Sequence, residues 1–131
     1  MPGIDLSNIY REYITCLNNQ DWLRLGQFVD NDVVHNDRRI GLSGYREMLR
    51  KDFHDIPDLH FRIEILVSDP PYVASRLSFH CTPKGNFLGL AVGGKKISFA
   101  ENVFYEFRSE KICDVRSIID KMVIEAQLQR G

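Results

Sequence analysis

No run of apolar residues in this sequence approaches the roughly 20 needed to cross a bilayer, so no membrane-spanning helix is expected. Neither charge sign dominates. The 17 Lys and Arg and 18 Asp and Glu are mixed along the chain and leave a formal net charge of −1. A nucleic-acid or anionic-membrane surface needs a clustered basic patch, and none is written here. Cysteine is scarce: Cys16, Cys81 and Cys113 are far apart and odd in number. That excludes a disulfide framework and fits small buried hydrophobes in a reducing compartment. The opening "MPGIDLSNIYREY" has an early acid and no apolar h-region, so the expectation is a cytoplasmic protein without a signal peptide. None of His35, His54, His60 and His80 forms an H-x3-H or H-E-x-x-H pattern, so no metal is expected. Neither a Ser-His-Asp arrangement nor a reactive-cysteine signature is visible, which disfavours covalent catalysis. Repeats, low-complexity runs and linkers are missing as well, and 131 residues then read as one domain, 1–131.

What is present is a change of period. Residues 5 to 19, "DLSNIYREYITCLNN", place Leu6, Ile9, Tyr10, Tyr13, Ile14 and Leu17 at helical spacing behind Asp5 as N-cap. A second short helix is expected at "DWLRLGQFV", capped by Asp21, and "DVVHND" reads as a brief strand. "GLSGYREMLRKDFHDIP" predicts a third helix, with Ser43 as cap, Tyr45, Met48, Leu49 and Phe53 as its stripe, and Pro57 as its stop. Beyond Pro57 the pattern alternates. Phe61, Ile63, Ile65 and Val67 share one face of a strand; in the next, Val73, Leu77, Phe79 and Cys81 oppose Ala74, Arg76, Ser78 and His80. A Gly-rich loop, 83 to 96, precedes two further strands, "ISFAENVFYEF" and "KICDVRSIID", the last running into a short helix. Helices early and antiparallel strands late predict an α+β domain whose curved sheet wraps around helices. The strand 97–107 is apolar on both faces, with Ala100 and Phe104 opposite Phe99, Val103 and Tyr105. A covered outer face, most simply that of a homodimer, is therefore expected.

Few residues invite a chemical reading. "GLAVGGKK" lacks the hydroxyl residue a Walker loop places after its lysine, and a strand follows where a dinucleotide fingerprint opens a helix. The segment reads as a flexible loop, or as a lid whose apolar edge is Phe87, Leu88 and Leu90. His35 ends a strand and precedes Asn36 and Asp37, where it is either a structural histidine or an acid/base at a cavity. Arg76 shares a strand face with His80 and either faces water or lines a pocket. Glu101 stands between Phe99 and Val103 on an apolar face, an unusual place for a solvated acid. Asp120 sits at a strand-to-helix junction, and its spacing favours a helix cap.

The quoted segments, with "LNNQDWLRLGQFVDNDVVHN", "GYREML", "IPDLHFRIEILV", "VASRLSFHCTPKGNFLG" and the C-terminal "S-x-x-D…QL" pattern, resemble the SnoaL-like polyketide cyclase family over nearly the whole chain. The likeness is to the branch labelled ester cyclases, within the nuclear transport factor two-like superfamily. The resemblance implies a cone-shaped α+β barrel, a deep apolar pocket, cofactor-free proton transfer on an apolar carbonyl substrate, and dimers. It implies that Asp120 is the general acid/base on the pocket floor, with His35 as partner and Asn36 and Arg76 at substrate positions. Glu101 and Tyr105 complete the expected substrate-binding set, Tyr105 as one of the candidate donors to an enolate oxygen. Two departures stand out. Ile118 occupies the place of a second site histidine, and "CTPKG" replaces the family's "GTHxG". Isomerisation, dehydration or lactone rearrangement therefore stand beside aldol cyclisation as alternatives. A non-catalytic binding or assembly module is the competing reading.

Overall fold

Asp5 opens the first helix by accepting the Asn8 N–H at 3.3 Å, and α1 (Leu6–Asn18) buries Leu6, Tyr10, Tyr13, Ile14 and Leu17 as its spacing predicts. The computed structural model describes residues 5–130. The next helical piece, Trp22–Gln27, is a 3-10 helix of six residues. Asp21 makes no cap bond there and lies instead 3.8 Å from Arg24. Strand β1 (Val29–His35) and the two-residue β2 (Arg38–Arg39) follow. Helix α2 (Gly41–Asp55) starts two residues ahead of the expected cap Ser43 and has no side-chain cap at all. Gly41 holds φ +69° there, and a Cβ would meet the Asn31 carbonyl oxygen at 3.1 Å, so the tight entry to α2 requires glycine. Tyr45, Leu49 and Phe53 are its buried stripe, and it ends just ahead of Pro57.

The remaining strands of the main sheet are β3 (Arg62–Asp69), β4 (Tyr72–Cys81), β7 (Ile97–Arg108) and β8 (Lys111–Ile119), with helix α3 (Lys121–Arg130) behind them. The main sheet has the order β2-β1-β8-β7-β4-β3 and is antiparallel except where β1 pairs parallel to β8. Helix α1 packs on β3 and β4, and α2 on β1. The result is the expected α+β architecture, helices against a curved, mostly antiparallel sheet. Gln127 of the "QL" pattern ties α3 to the start of β7, its Oε1 accepting the Ser98 N–H at 2.8 Å.

Two bulges change the expected faces. The β3–β4 register slips between Ile63 and Ile65. Phe61 and Ile63 stay inside, but Ile65 and Val67 turn outward, 52% and 56% exposed, while Leu66 turns in. One extra residue reverses every later side chain on a strand. The β7–β8 register slips likewise: Glu106 pairs with Asp114 but Phe107 with Ile112, leaving Cys113 as the extra residue. Both Ile112 and Cys113 are buried, and beyond them Val115, Ser117 and Ile119 face the helices.

The Gly-rich segment is more ordered than a plain loop. Strands β5 (Asn86–Phe87) and β6 (Leu90–Ala91) form a separate hairpin. Its turn, Leu88 and Gly89, has φ of 52° and 77°, the left-handed pair that a two-residue hairpin turn uses. Val92 is buried beneath it. All three cysteines are buried and free. Among the described residues no helix is long and apolar enough to cross a membrane.

One side chain joins the helical layer to the sheet. Asn18 at the end of α1 accepts the Phe61 N–H at 2.7 Å and donates to the Phe61 carbonyl at 2.9 Å. Asn18→Ala strands both partly buried backbone groups, and a loss of about 1–3 kcal/mol is expected. Urea unfolding of the two proteins at one pH measures it, and an unchanged midpoint would refute the role.

Candidate active site

The inner face of the sheet and the facing sides of α1 and α2 do not close fully on each other. They leave a cavity of about 220 Å3, larger than the 150 Å3 or so of an apolar cavity that holds benzene. Leu49, Phe61, Leu77, Phe79, Phe99 and Val103 make most of its wall apolar. Phe87 and Leu88 bring the β5–β6 hairpin to it, and Leu88, 40% exposed, marks the side toward solvent. The polar side chains in the wall are Tyr13, His35, Tyr45, Asp52, Glu101, Tyr105 and Ser117. Phe79 stacks on Phe99 at 5.1 Å, and Phe87 leans on Phe99 at 5.3 Å, so the hairpin and sheet share one aromatic wall.

Two carboxyl groups enter this apolar space from opposite layers. Glu101 comes from β7 and Asp52 from the inner side of α2. Burial pushes Glu101 up to about 7; the neighbouring Ser117 side chain opposes the rise and the Asp52 charge adds to it. Burial likewise pushes Asp52 up to about 6, with the Asp55 charge adding and Lys51 opposing. Each therefore exchanges its proton near neutral pH, where a general acid/base is most effective. His35 is shifted the other way: burial lowers its pKa, so its imidazole is neutral at pH 7, with one ring nitrogen donating and the other accepting. Its ring meets Tyr45 edge-on at 6.2 Å.

Tyrosine supplies the rest of the polarity. The Tyr13 and Tyr45 hydroxyls are 2.7 Å apart, and those of Tyr10 and Tyr105 are 3.1 Å apart. Burial raises all four pKa values, so they remain neutral donors. Among the described residues, no group of three His, Cys, Asp or Glu stands where it could hold a metal ion.

Of the residues expected from sequence, the structure brings His35, Glu101 and Tyr105 together in this cavity. The other three lie elsewhere. Asp120 is exposed and caps α3, accepting the Val123 N–H at 3.3 Å. This corrects the pocket-floor position that the resemblance implied, and the reason is parity. Ser117 and Asp120 are three residues apart, so a continuing strand puts them on opposite faces, and Ser117 is the one inside. The apolar surroundings expected for Asp120 are also missing: Ile118 and Met122 are 70% and 79% exposed, and Phe104 is 62% exposed. Arg76 faces outward as well, 3.3 Å from Glu64 and donating to Asn102 at 3.1 Å. It meets Asp120 only in an open polar groove on the outer face, which His60, Arg62 and His80 also line. Asn36 lines neither. At φ 46° in the turn after β1, its amide accepts the Ser117 N–H at 2.8 Å and donates to the Ser117 carbonyl at 3.3 Å. It clips β1 to β8 and so holds His35 at the cavity edge.

Asp52, Tyr13, Tyr45 and Ser117 are cavity residues that the sequence reading did not select. A signal for Asp52 existed. Tyr45, Leu49, Asp52 and Ile56 follow the i, i+4, i+7, i+11 spacing of a single helix face, which puts an acid on a stripe that is otherwise apolar or aromatic.

The family model for SnoaL-like polyketide cyclases matches residues 7–128. Among solved structures, a SnoaL-like polyketide cyclase from Agrobacterium tumefaciens is 53% identical, with a TM-score of 0.95 over 96% of this chain and 99% of that one. IdmH, a putative polyketide cyclase from Streptomyces antibioticus, has a TM-score of 0.82 at 17% identity over 96% and 99% of the two chains. AclR, a putative hydroxylase from Streptomyces galilaeus, has 0.76 at 18% over 96% of each. These last two share the fold. Among curated proteins no sequence matches. The chain belongs to the SnoaL-like polyketide cyclase family.

Two variants probe this geometry. Glu101 has a folded pKa above its unfolded value of about 4.5, so the native state holds the extra proton between the two. Its contribution to stability is greatest below pH 4.5 and is lost as pH rises toward 7. Glu101→Gln is therefore expected to be more stable than the parent at pH 8, by roughly 1–3 kcal/mol, with the difference vanishing near pH 4. Chemical denaturation at both pH values measures it, and a pH-independent difference would refute the burial argument. Asp120→Ala is expected to cost about 0.5–2 kcal/mol as a lost cap, read by thermal melts, without altering ligand binding in the inner cavity.

Proposed function

We propose that this member of the SnoaL-like polyketide cyclase family is an acid–base enzyme that moves a proton on a compact, apolar carbonyl compound, with Glu101 as the proton carrier. Family membership suggests cofactor-free chemistry of the cyclase or isomerase type. The observation that carries the finer reading is Glu101 itself, a carboxylate in an aromatic and aliphatic wall with a pKa of about 7. Ionised, it takes a proton from the carbon next to a carbonyl; protonated, it returns one to another carbon or to an alkoxide. Return to another carbon completes an isomerisation; in an aldol closure the enolate carbon bonds to a second carbonyl carbon and the proton returns to the alkoxide so formed. Asp52 sets the charge that Glu101 feels, and neutral His35 orients the ligand at the sheet edge. The cavity volume supports a ligand of one or two rings in preference to a four-ring polyketide.

A binding module without chemistry is the competing reading, and it gains from the position of Asp120 outside the cavity. The homodimer belongs to the proposal too. Ile65, Val67, Tyr72, Phe104 and Ile118 stand exposed on β3, β4, β7 and β8, four adjacent strands. A second copy presents the same patch, which a two-fold interface requires.

Deuterium exchange at the α-carbons of small cyclic ketones and 1,3-diketones, followed by NMR in D2O, separates the enzyme from the module. Exchange faster than in buffer is expected, rising through an inflection near pH 7. It falls about 10²–10⁴-fold in Glu101→Gln and persists in Asp120→Asn. Tight binding of these compounds with no exchange by the parent protein would favour the module. Phe104→Glu, read by light scattering, is expected to convert a dimer to a monomer; a parent protein already of monomer mass would sink the dimer.

A further inference from the structure

A proton taken from carbon leaves its charge on the carbonyl oxygen, and that oxygen needs a donor already in place. The buried tyrosines can be counted for such a donor. Each hydroxyl has one proton. The Tyr13–Tyr45 pair therefore has two protons and spends one on its 2.7 Å hydrogen bond. Both residues line the cavity, and no other protein partner of either hydroxyl is found among the described residues. The Tyr10–Tyr105 pair has the same arithmetic but a different outlet. Tyr10 lies off the cavity, and beside it is Ser75, whose buried Oγ approaches the Tyr10 hydroxyl at a geometry short of a hydrogen bond. A small rotation there gives the spare proton an acceptor within the protein. The Tyr13–Tyr45 pair has no such neighbour.

We propose that Tyr45, backed by Tyr13, is the donor that holds the anionic oxygen of an enolate or phenolate ligand in this cavity. Its catalytic consequence rests on the acid–base reading of Glu101; the binding itself does not. The division of labour within the pair follows from packing. Tyr13 is fixed on three sides by Tyr10, Phe28 and Tyr105, with ring centroids 5.8, 6.4 and 6.1 Å away. The 2.7 Å pair allows either direction; with the fixed Tyr13 donating to the Tyr45 oxygen, the Tyr45 proton is left for the ligand. As the ligand draws that proton, the charge developing on Tyr45 is met by the bond from Tyr13. Charge balances in the step. Glu101 gains the proton that the ligand carbon or hydroxyl loses, so the net charge of the cavity is unchanged and only its position moves. Charge moves from the carboxylate to an oxygen facing two hydroxyls in series.

The test uses 4-nitrophenol as an enolate mimic and nitrobenzene as a neutral ligand of similar shape, with the full chain at pH 7. Visible absorbance reports whether bound nitrophenol is ionised. The parent protein is expected to bind it as the phenolate, more tightly than nitrobenzene. Tyr45→Phe should weaken phenolate binding by about ten- to hundredfold and shift the bound ligand toward the neutral phenol, leaving nitrobenzene affinity in place. Tyr13→Phe should produce a smaller loss in the same direction. Phenolate binding unchanged in Tyr45→Phe would overturn the proposal. So would an equal loss for both ligands in a variant with native circular dichroism, since that is the mark of a packing role. The two readings fail separately. Tyr45-dependent phenolate binding in a protein without α-proton exchange leaves this site standing and removes the acid–base enzyme. Exchange that Glu101 supports and Tyr45→Phe does not reduce, without selective phenolate binding, does the reverse.

Discussion

Successive side chains on a strand point to opposite faces, so each residue of the central strands belongs either to the cavity or to the exterior. The bulge at Cys113 settles that choice for β8, and through it for the site. Ser117 and Ile119 are inside because one extra residue was spent earlier in the strand. The bulge near Glu64 does the same for β3, sending Ile65 and Val67 out and Leu66 in. Glu101 occupies its place under the same constraint, since β7 pairs without a slip from Ile97 to Glu106 with one neighbour or the other. Its parity with Phe99, Val103 and Tyr105 is therefore unbroken. The sheet side of the cavity is drawn from odd-numbered residues of β4, β7 and the end of β8, facing two helices that contribute one acid and two tyrosines.

Once that surface is assembled, its electrostatics follow from solvation. Among the described residues no cation pairs with Glu101 or Asp52 inside the cavity; the raised pKa values come first from burial. The structure thus keeps two weak acids where ionisation is costly. Such an arrangement opposes stability at neutral pH, and it is the arrangement that the proposed proton transfer requires. The outer face is organised differently. Arg76, Glu64 and Asn102 satisfy one another, and their groove is open and polar. The two sides of one sheet consequently do different work, although each presents both charged and apolar residues.

Much of the fold was legible because it rests on period. The stripe of α1, the alternation of β4 and the stop before Pro57 follow directly from residue spacing. The cap at Asp120 was legible in the same way, from its junction position, and local chemistry was there a better guide than the family resemblance. Glu101 was visible as an acid between Phe99 and Val103. Bulges were not legible, since they are decided by pairing between distant strands and leave no local signature in "RIEILV" or "KICDV". Tyr13 and Tyr45 read as ordinary core residues because their meeting depends on how α1 and α2 pack. Asn36 looked like a pocket residue, but the left-handed turn that places it is stabilised by contact with Ser117, 81 residues away.

The β5–β6 hairpin has a consequence for how such a protein diversifies. It walls the cavity through Phe87 and Leu88 yet forms a sheet of its own, outside the six-stranded ladder. Gly89 in its turn holds φ +77°, and Gly93 and Gly94 just beyond it hold +56° and +84°, so glycine fixes the turn and the neighbouring side chains form the wall. Changes at Phe87 or Leu88 therefore reshape the cavity wall without disturbing the parity that places Glu101. Under the proposed function, selectivity and chemistry are written on separable parts of the chain. One behaves as an exchangeable cassette, and the other is locked into the register of the sheet.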